Sequence, residues 1–401
     1  MSSKNTSLAT SEPLATKINY KFLSEEQQQT LHFRLSNVDV SVANALRRTL
    51  LSDIPINVIR TELIESSDAQ CQILVNTGRL TNEILKHRLS LIPIHSKHVT
   101  SWDDVHQKWL DRLPTQVELE VNVQADESLR LVTTEDFKLR VKTGDEDGTK
   151  RYLPTTLSQQ IFPKNDTTQS FIEFARLRPK LADTIPGEHL HLVAQFSVGT
   201  AKENSSFNVV SKCAFHNTQQ EHLDTVWEKE LAKLQASSAA DTASRKKDFM
   251  CLDAQRHFVA DSFDFVVQTI GIYNNEELLH TACTILQDKV LAFYDSVRDN
   301  EVLVRRSDAV SMEHCYDVTL VKEDYTLGNL LVYLLIDAYY DAVEDRLSFC
   351  GFKKEHPHDE NSLLRIAFKD AGDDAKVREC LRVVCGKAHA IFERIGRFFG
   401  N

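Results

Sequence analysis

The chain has 401 residues, 42% hydrophobic and 26% charged, with a formal net charge of −11. That length suits two or three domains of ordinary soluble composition. The acidic balance argues against broad, sequence-independent nucleic-acid binding, and no apolar run approaches the roughly 18 residues of a membrane span.

The first 16 residues are rich in Ser and Thr, lack the apolar core of a secretory signal and read as a flexible tail. Residues 17–38 hold the first strand or strands, with clean alternation over 31–36. The period then changes. Val42, Ala43, Leu46 and Leu50 fall at helical spacing and predict a helix over 42–53, ended by Pro55. Ser41 stands where an N-cap belongs, Asn44 follows three residues later as a capping-box partner, and Asp39 suits the positive end of the dipole. Arg47 and Arg48 lie beside the apolar stripe, as solvated charge or as a docking contact.

Alternation resumes from 56 to 66 and is expected to return to the same sheet. Thr81 caps a short helix carrying Ile84, Leu85 and Leu89. Residues 98–187 read as a β-rich insertion: Val117, Leu119, Val121 and Val123 alternate, as do Phe137, Leu139 and Val141, and 144–148 is a turn. Residues 189–198 alternate and are expected to rejoin the main sheet; 199–206 is a polar loop and 207–215 a strand. A helix is predicted over 223–234, a mobile polar stretch over 237–247, and a strand over 263–267. Asn275 caps a long helix running to about 298, and a charged link follows to 306.

The early device then recurs. Asp324, Thr326, Asn329 and Leu331 repeat the pattern D-x-[S/T]-x-x-N-x-L, 285 residues after Asp39, again between an alternating run and an apolar helical stripe. Two strands and a closing helix from Asp374 complete this half. Both halves read strand, helix, strand, strand, helix. The expected fold is therefore α+β: two related halves packed as an intramolecular pseudo-two-fold dimer, with the β-rich insert in the first. The boundaries expected are 17–60 with 188–298 for the first half, 61–187 for the insert and 299–401 for the second half.

Chemistry is scarce. There is no Gly-rich phosphate loop, no G-x-G-x-x-G and no G-x-S-x-G elbow. His95 with His98, and His356 with His358, lack the helical spacing of a zinc site and read as loop histidines. Asp103-Asp104 and Asp145-Glu146-Asp147 read as exposed turns, so no catalytic residue is assigned. The eight cysteines are scattered and read as small buried hydrophobes in a reducing compartment. A free-standing metal-dependent hydrolase using these acids and histidines, or a nucleic-acid-binding regulator using the basic 245–256 segment, is the alternative reading.

Residues 37–51 resemble the signature of the alpha-type subunits of multisubunit DNA-directed RNA polymerases. His87-Arg88-Leu89-Ser90-Leu91-Ile92-Pro93 resembles the HRL-x-LIP segment of the third-largest subunit in the eukaryotic and archaeal enzymes. Residues 199–207 are similar to that subunit's G-x-x-K-x-H-A-x-[W/F] loop, with Lys202 and Phe207 matching and Asn204 where His is usual. The Asp324 motif, with His356-Pro357 downstream, resembles the small partner subunit. The resemblance implies a fusion of the two, an arrangement similar to that of large nucleocytoplasmic DNA viruses, acting in host cytoplasm or virion if viral. The family's zinc-binding cysteine loop is missing, so neither metal nor cofactor is expected. The resemblance further implies a non-catalytic assembly platform that joins the largest and second-largest subunits and binds small accessory subunits. Arg47, Arg48, Lys202 and Phe207 would face the second-largest subunit. Little or no DNA contact, no membrane and no homo-oligomer are expected.

Overall fold

The computed structural model describes residues 13–18, 30–61, 70–98, 109–142, 151–182, 184–220, 222–233, 239–307, 312–340 and 345–400. The acidic turns at 103–104 and 145–147, and most of the expected tail, lie outside these described residues. The chain divides into two compact units. One holds the chain up to Leu51, Val210–Thr269 and Asn274–Asn401; the other holds Ser52–Val209 and Ile270–Tyr273.

In the first unit the elements are β1 (Leu14–Lys17), β2 (Leu31–Ser36), α1 (Val40–Ser52, its last residue in the other unit), β3 (Val210–Gln219), α2 (Leu223–Lys233), α3 (Ala239–Cys251), β4 (Phe258–Thr269) and α4 (Asn275–Arg298). They continue with β5 (Val304–Arg306), β6 (Cys315–Leu320), α5 (Tyr325–Tyr339), β7 (Leu347–Lys353), β8 (Ser362–Phe368) and α6 (Asp374–Phe399). Two antiparallel sheets result, ordered β1-β2-β4-β3 and β5-β6-β8-β7. The two orders are the same, and helices enter at the same points except for α2 and α3, which stand between β3 and β4 with no counterpart between β7 and β8. The strand, helix, strand, strand, helix order is therefore present twice, each time with an added edge strand in front. Neither edge strand was expected. At four and three residues they are too short to display alternation, and they lie in the supposed tail and the charged link.

The two halves share one core. Phe33 of β2 stacks on Phe265 of β4 at 4.8 Å, and Phe399 at the end of α6 meets Phe33 edge-on at 5.1 Å. Helices α4 and α6 run antiparallel: His280 bonds the Gly396 carbonyl at 3.0 Å, while Arg378 bonds the Val302 carbonyl, just past the other end of α4, at 2.9 Å. Gly396 permits the close approach, because a Cβ there would stand 3.1 Å from the Cys283 Cβ. Helix α6 also packs on α5. Each pair of central strands carries a cross-strand ion pair with the sign reversed: Arg34 on β2 with Asp264 on β4 at 2.7 Å, and Asp317 on β6 with Arg365 on β8 at 2.7 Å.

The second unit has its own core, in which Phe137 meets Phe162 and Phe174 edge-on. Its main sheet runs in the order 71–76, 189–195, 117–124, 138–141. This corrects two expectations. Strand His189–Gln195 pairs with Cys71–Asn76 and Val117–Gln124, and Ile56–Val58 pairs with Ser197–Gly199; neither joins the main sheet of the first unit. Alternation reports a half-buried strand, not the sheet it enters. The unit accordingly spans more than 61–187, and the main sheet resumes at Val210.

Two smaller corrections follow. Residues 239–247 are helical, within α3; Trp227 and Phe249 pack at 5.4 Å, joining α2 to α3 in a satellite core. Small, polar and basic composition predicts a mobile stretch over 237–247, whereas the residues from 239 onward are helical. All eight cysteines are free and six are buried, but Cys251 is exposed. Burial pushes the Cys213 and Cys385 thiols up to about 12.

Candidate functional site

The duplicated motif places one cap in each half, and the cap is the aspartate. Asp39 accepts from the Ser41 amide at 2.7 Å, and Asp324 accepts from the Thr326 amide at 2.9 Å. Ser41 is not the N-cap; its hydroxyl is buried and unpartnered among the described residues. The helices start one residue before the hydroxyl positions, at Val40 and Tyr325, so Asn44 and Asn329 lie too far along to reach back. Asn44 instead accepts two bonds from Arg47, at 3.0 and 2.8 Å, and Asn329 is exposed. Likewise Asn274, not Asn275, caps α4: Glu277 accepts from its amide at 3.1 Å, and Asn275 bonds the Thr269 amide.

Arg48 joins the two motifs. Its Nε donates to Thr326 Oγ1 at 2.9 Å and its Nη2 to Asp324 Oδ2 at 3.0 Å. Asp324 therefore serves the α5 N-terminus and Arg48 together. Tyr333 stands nine residues after Asp324, as Arg48 stands nine after Asp39. Burial, then Asp337, Asp39 and Asp261, push its hydroxyl up to about 12.

The 199–207 loop belongs to the second unit. Asn204 caps its short 3-10 turn, accepting from the Ser206 amide at 2.9 Å. Phe207, expected to face the second-largest subunit, is buried within this chain, beneath the Arg60 guanidinium at 5.7 Å and against Gly199. A large aromatic in this small loop gains more from filling the space under Arg60 than from solvent contact. Arg60 also bonds the Val198 carbonyl at 2.9 Å and pairs with Glu203. Lys202 is exposed, and its backbone amide bonds the Ser52 carbonyl.

In the 87–93 segment, Arg88 donates to the Phe174 and Glu173 carbonyls at 2.8 and 2.7 Å, clipping helix Asn82–Ser90 to strand Glu173–Leu177. His87 is exposed and Pro93 half-buried, between buried Ile92 and Ile94. One further group carries no signal in the sequence. Glu120, almost fully buried in the second unit, accepts from Tyr152 at 2.7 Å, bonds His191 at 3.0 Å and pairs with Arg140 at 3.2 Å. A glutamate within an alternating strand looks the same whether it faces water or a buried arginine.

His356 and His358 share an exposed turn, and no group of three or more His, Cys, Asp or Glu able to hold a metal ion occurs among the described residues. In the basic 245–256 segment, Lys246 pairs with Asp224 and Arg256 with Asp253.

Residues 32–290 match the RNA polymerase Rpb3/Rpb11 dimerisation domain, and residues 315–397 match it again. DNA-directed RNA polymerase II subunit RPB3 of Schizosaccharomyces pombe is 23% identical over 294 residues, 71% of this chain and 90% of its own length. DNA-directed RNA polymerases I and III subunit RPAC1 of Homo sapiens is 22% identical over 301 residues, 67% of this chain and 82% of its own length. DNA-directed RNA polymerase subunit Rpo3 of Thermococcus kodakarensis is 36% identical over 81 residues, 20% of this chain and 27% of its own length. The chain belongs to the RNA polymerase Rpb3/Rpb11 dimerisation-domain family, and it carries that domain twice.

Proposed function

We propose that this chain is the assembly platform of a DNA-directed RNA polymerase, with the two dimerisation partners tied into one polypeptide around a pseudo-two-fold axis. The observation that carries this reading is the Arg48 bridge from one copy of the motif to Thr326 and Asp324 of the other. Fusion holds the halves at an effective concentration on the order of millimolar, so dilution does not part them. Because the dimerising faces are occupied internally, no homo-oligomer forms through them.

The chain supplies no catalytic residue of its own; it joins the two large subunits. Arg47 and exposed Lys202 face the second-largest subunit, the C-terminal half faces the largest, and small accessory subunits bind the N-terminal half. Phe207 acts there by shaping its loop. The second unit is the family's insert domain, and the buried Glu120 network braces it where relatives use zinc. Purifying the tagged chain from cells that express it tests the proposal. Both large polymerase subunits co-purify if it is right; recovery without them contradicts it.

A further inference from the structure

Helix α6 presents a face that neither half uses. Its apolar side is taken up by the core, through Val377, Val384, Ala388 and Phe392. The opposite side carries Arg382, Val383, Gly386, Lys387, Ala390 and Arg394, all exposed and spaced as one continuous stripe. The helix has six Lys and Arg against three Asp and Glu, within a chain of net charge −11. One of those acids, Glu393, is engaged with Arg397. Among the described residues, Arg382 and Lys387 have no ion-pair partner.

Toward the N-terminal end of α6 this stripe opens into a cleft of about 500 Å³ between the end of α4 and the first turns of α6. Arg298, Arg378 and Arg382 line it, with Asp374 and Asn300. Two of these guanidiniums are fixed by the chain itself. Arg378 bonds the Val302 carbonyl at 2.9 Å, and Arg298 is held by Asp295 at 2.8 Å and Asp299 at 2.9 Å. Arg382 is left open.

Gly386 lies midway along the face. Glycine in a helix interior is unfavourable relative to alanine. Gly328 and Gly396 have neighbours that exclude a side chain, Phe352 and Cys283 respectively. A Cβ at Gly386 would meet nothing within 4 Å, so no contact within this chain accounts for it.

We infer that this face docks an acidic segment of a partner protein. Arg382 and Lys387 take its carboxylates, and one carboxylate seats in the arginine cleft, where planar forks match it well. A nucleic-acid strand fits less well. Asp374 in the cleft and Glu379 on α6 would face the anions of either ligand, but Val383, 44% exposed, offers an apolar contact that a protein side chain takes up and a sugar-phosphate backbone does not. The inference does not depend on the polymerase reading.

The test titrates the full-length chain with a short labelled glutamate-rich peptide and, in parallel, with a single-stranded oligonucleotide of equal charge. Saturable, salt-sensitive peptide binding is expected, weakened about tenfold or more by Arg382→Glu with Lys387→Glu at unchanged melting temperature. Gly386→Trp, placed in open space, should keep the fold and also weaken the peptide. No saturation, equal binding by both variants, or tighter binding of the oligonucleotide would overturn the inference.

Discussion

Arg48 of α1 reaches Asp324 at the start of α5, 3.0 Å from Nη2 to Oδ2, while its Nε bonds Thr326. Position 48 of one dimerisation domain thus closes on the cap of the other. Both side chains are largely screened from solvent, 35% and 24% exposed. A double-mutant cycle on Arg48→Ala and Asp324→Ala should give a coupling of about 1 kcal/mol in urea unfolding. Asp324→Ala alone should cost about 1–2 kcal/mol, because it also removes a helix cap. Strictly additive costs would mean the bridge contributes nothing.

One chemical change should act oppositely at two glycines. Gly386→Ala, with open space around it, should raise stability by about 1 kcal/mol through helix propensity. Gly328→Ala should lower it by about 1–3 kcal/mol, because the new Cβ would fall 2.1 Å from the Phe352 ring. Thermal unfolding of the two variants decides this, and shifts of the same sign would refute the packing described.

Acid should loosen the first unit. The Arg365 hydrogen bond holds the Asp317 carboxyl below the usual aspartate range. For Asp264, burial pushes upward but is outweighed by Arg34 and Thr218. A depressed folded pKa gives stability that is present above the ordinary aspartate value, about 4, and lost as pH falls through the folded value. Stability measured from pH 6 downward should therefore fall below about pH 4. Asp317→Asn should flatten part of that fall; an unchanged slope would exclude the pair as its source.

Arg88→Ala should cost about 1–3 kcal/mol, because two carbonyls lose a charged donor. Hydrogen exchange should quicken in strand Glu173–Leu177 and leave β6 and β8 unchanged. Loss of protection across both units would instead indicate a global role.

The duplicated architecture was legible because a capped helix after a strand leaves a long, periodic trace. The cap itself is ambiguous in the sequence: Asp39 and Ser41 are both competent at that spacing, and only the backbone decides between them. The edge strands were too short to carry a period. The strand at 189–195 was visible, but its partners depend on contacts distant in sequence. The motif at 199–207 marked Phe207 without saying that it points inward. Arg48 stood out as an arginine beside an apolar stripe, yet its partners lie on the other copy of the motif. They become visible only once the two copies are laid face to face.

The most direct measurement cuts the covalent tie. A protease site inserted between α4 and β5, in the link between the two halves, lets the folded chain be nicked and then passed over a sizing column at micromolar concentration. The two fragments should elute together at the position of the intact 45.7 kDa protein, and Arg48→Ala should promote their separation. Fragments that part at once would show that only the peptide link joins the two halves, and the fused-dimer account would fail.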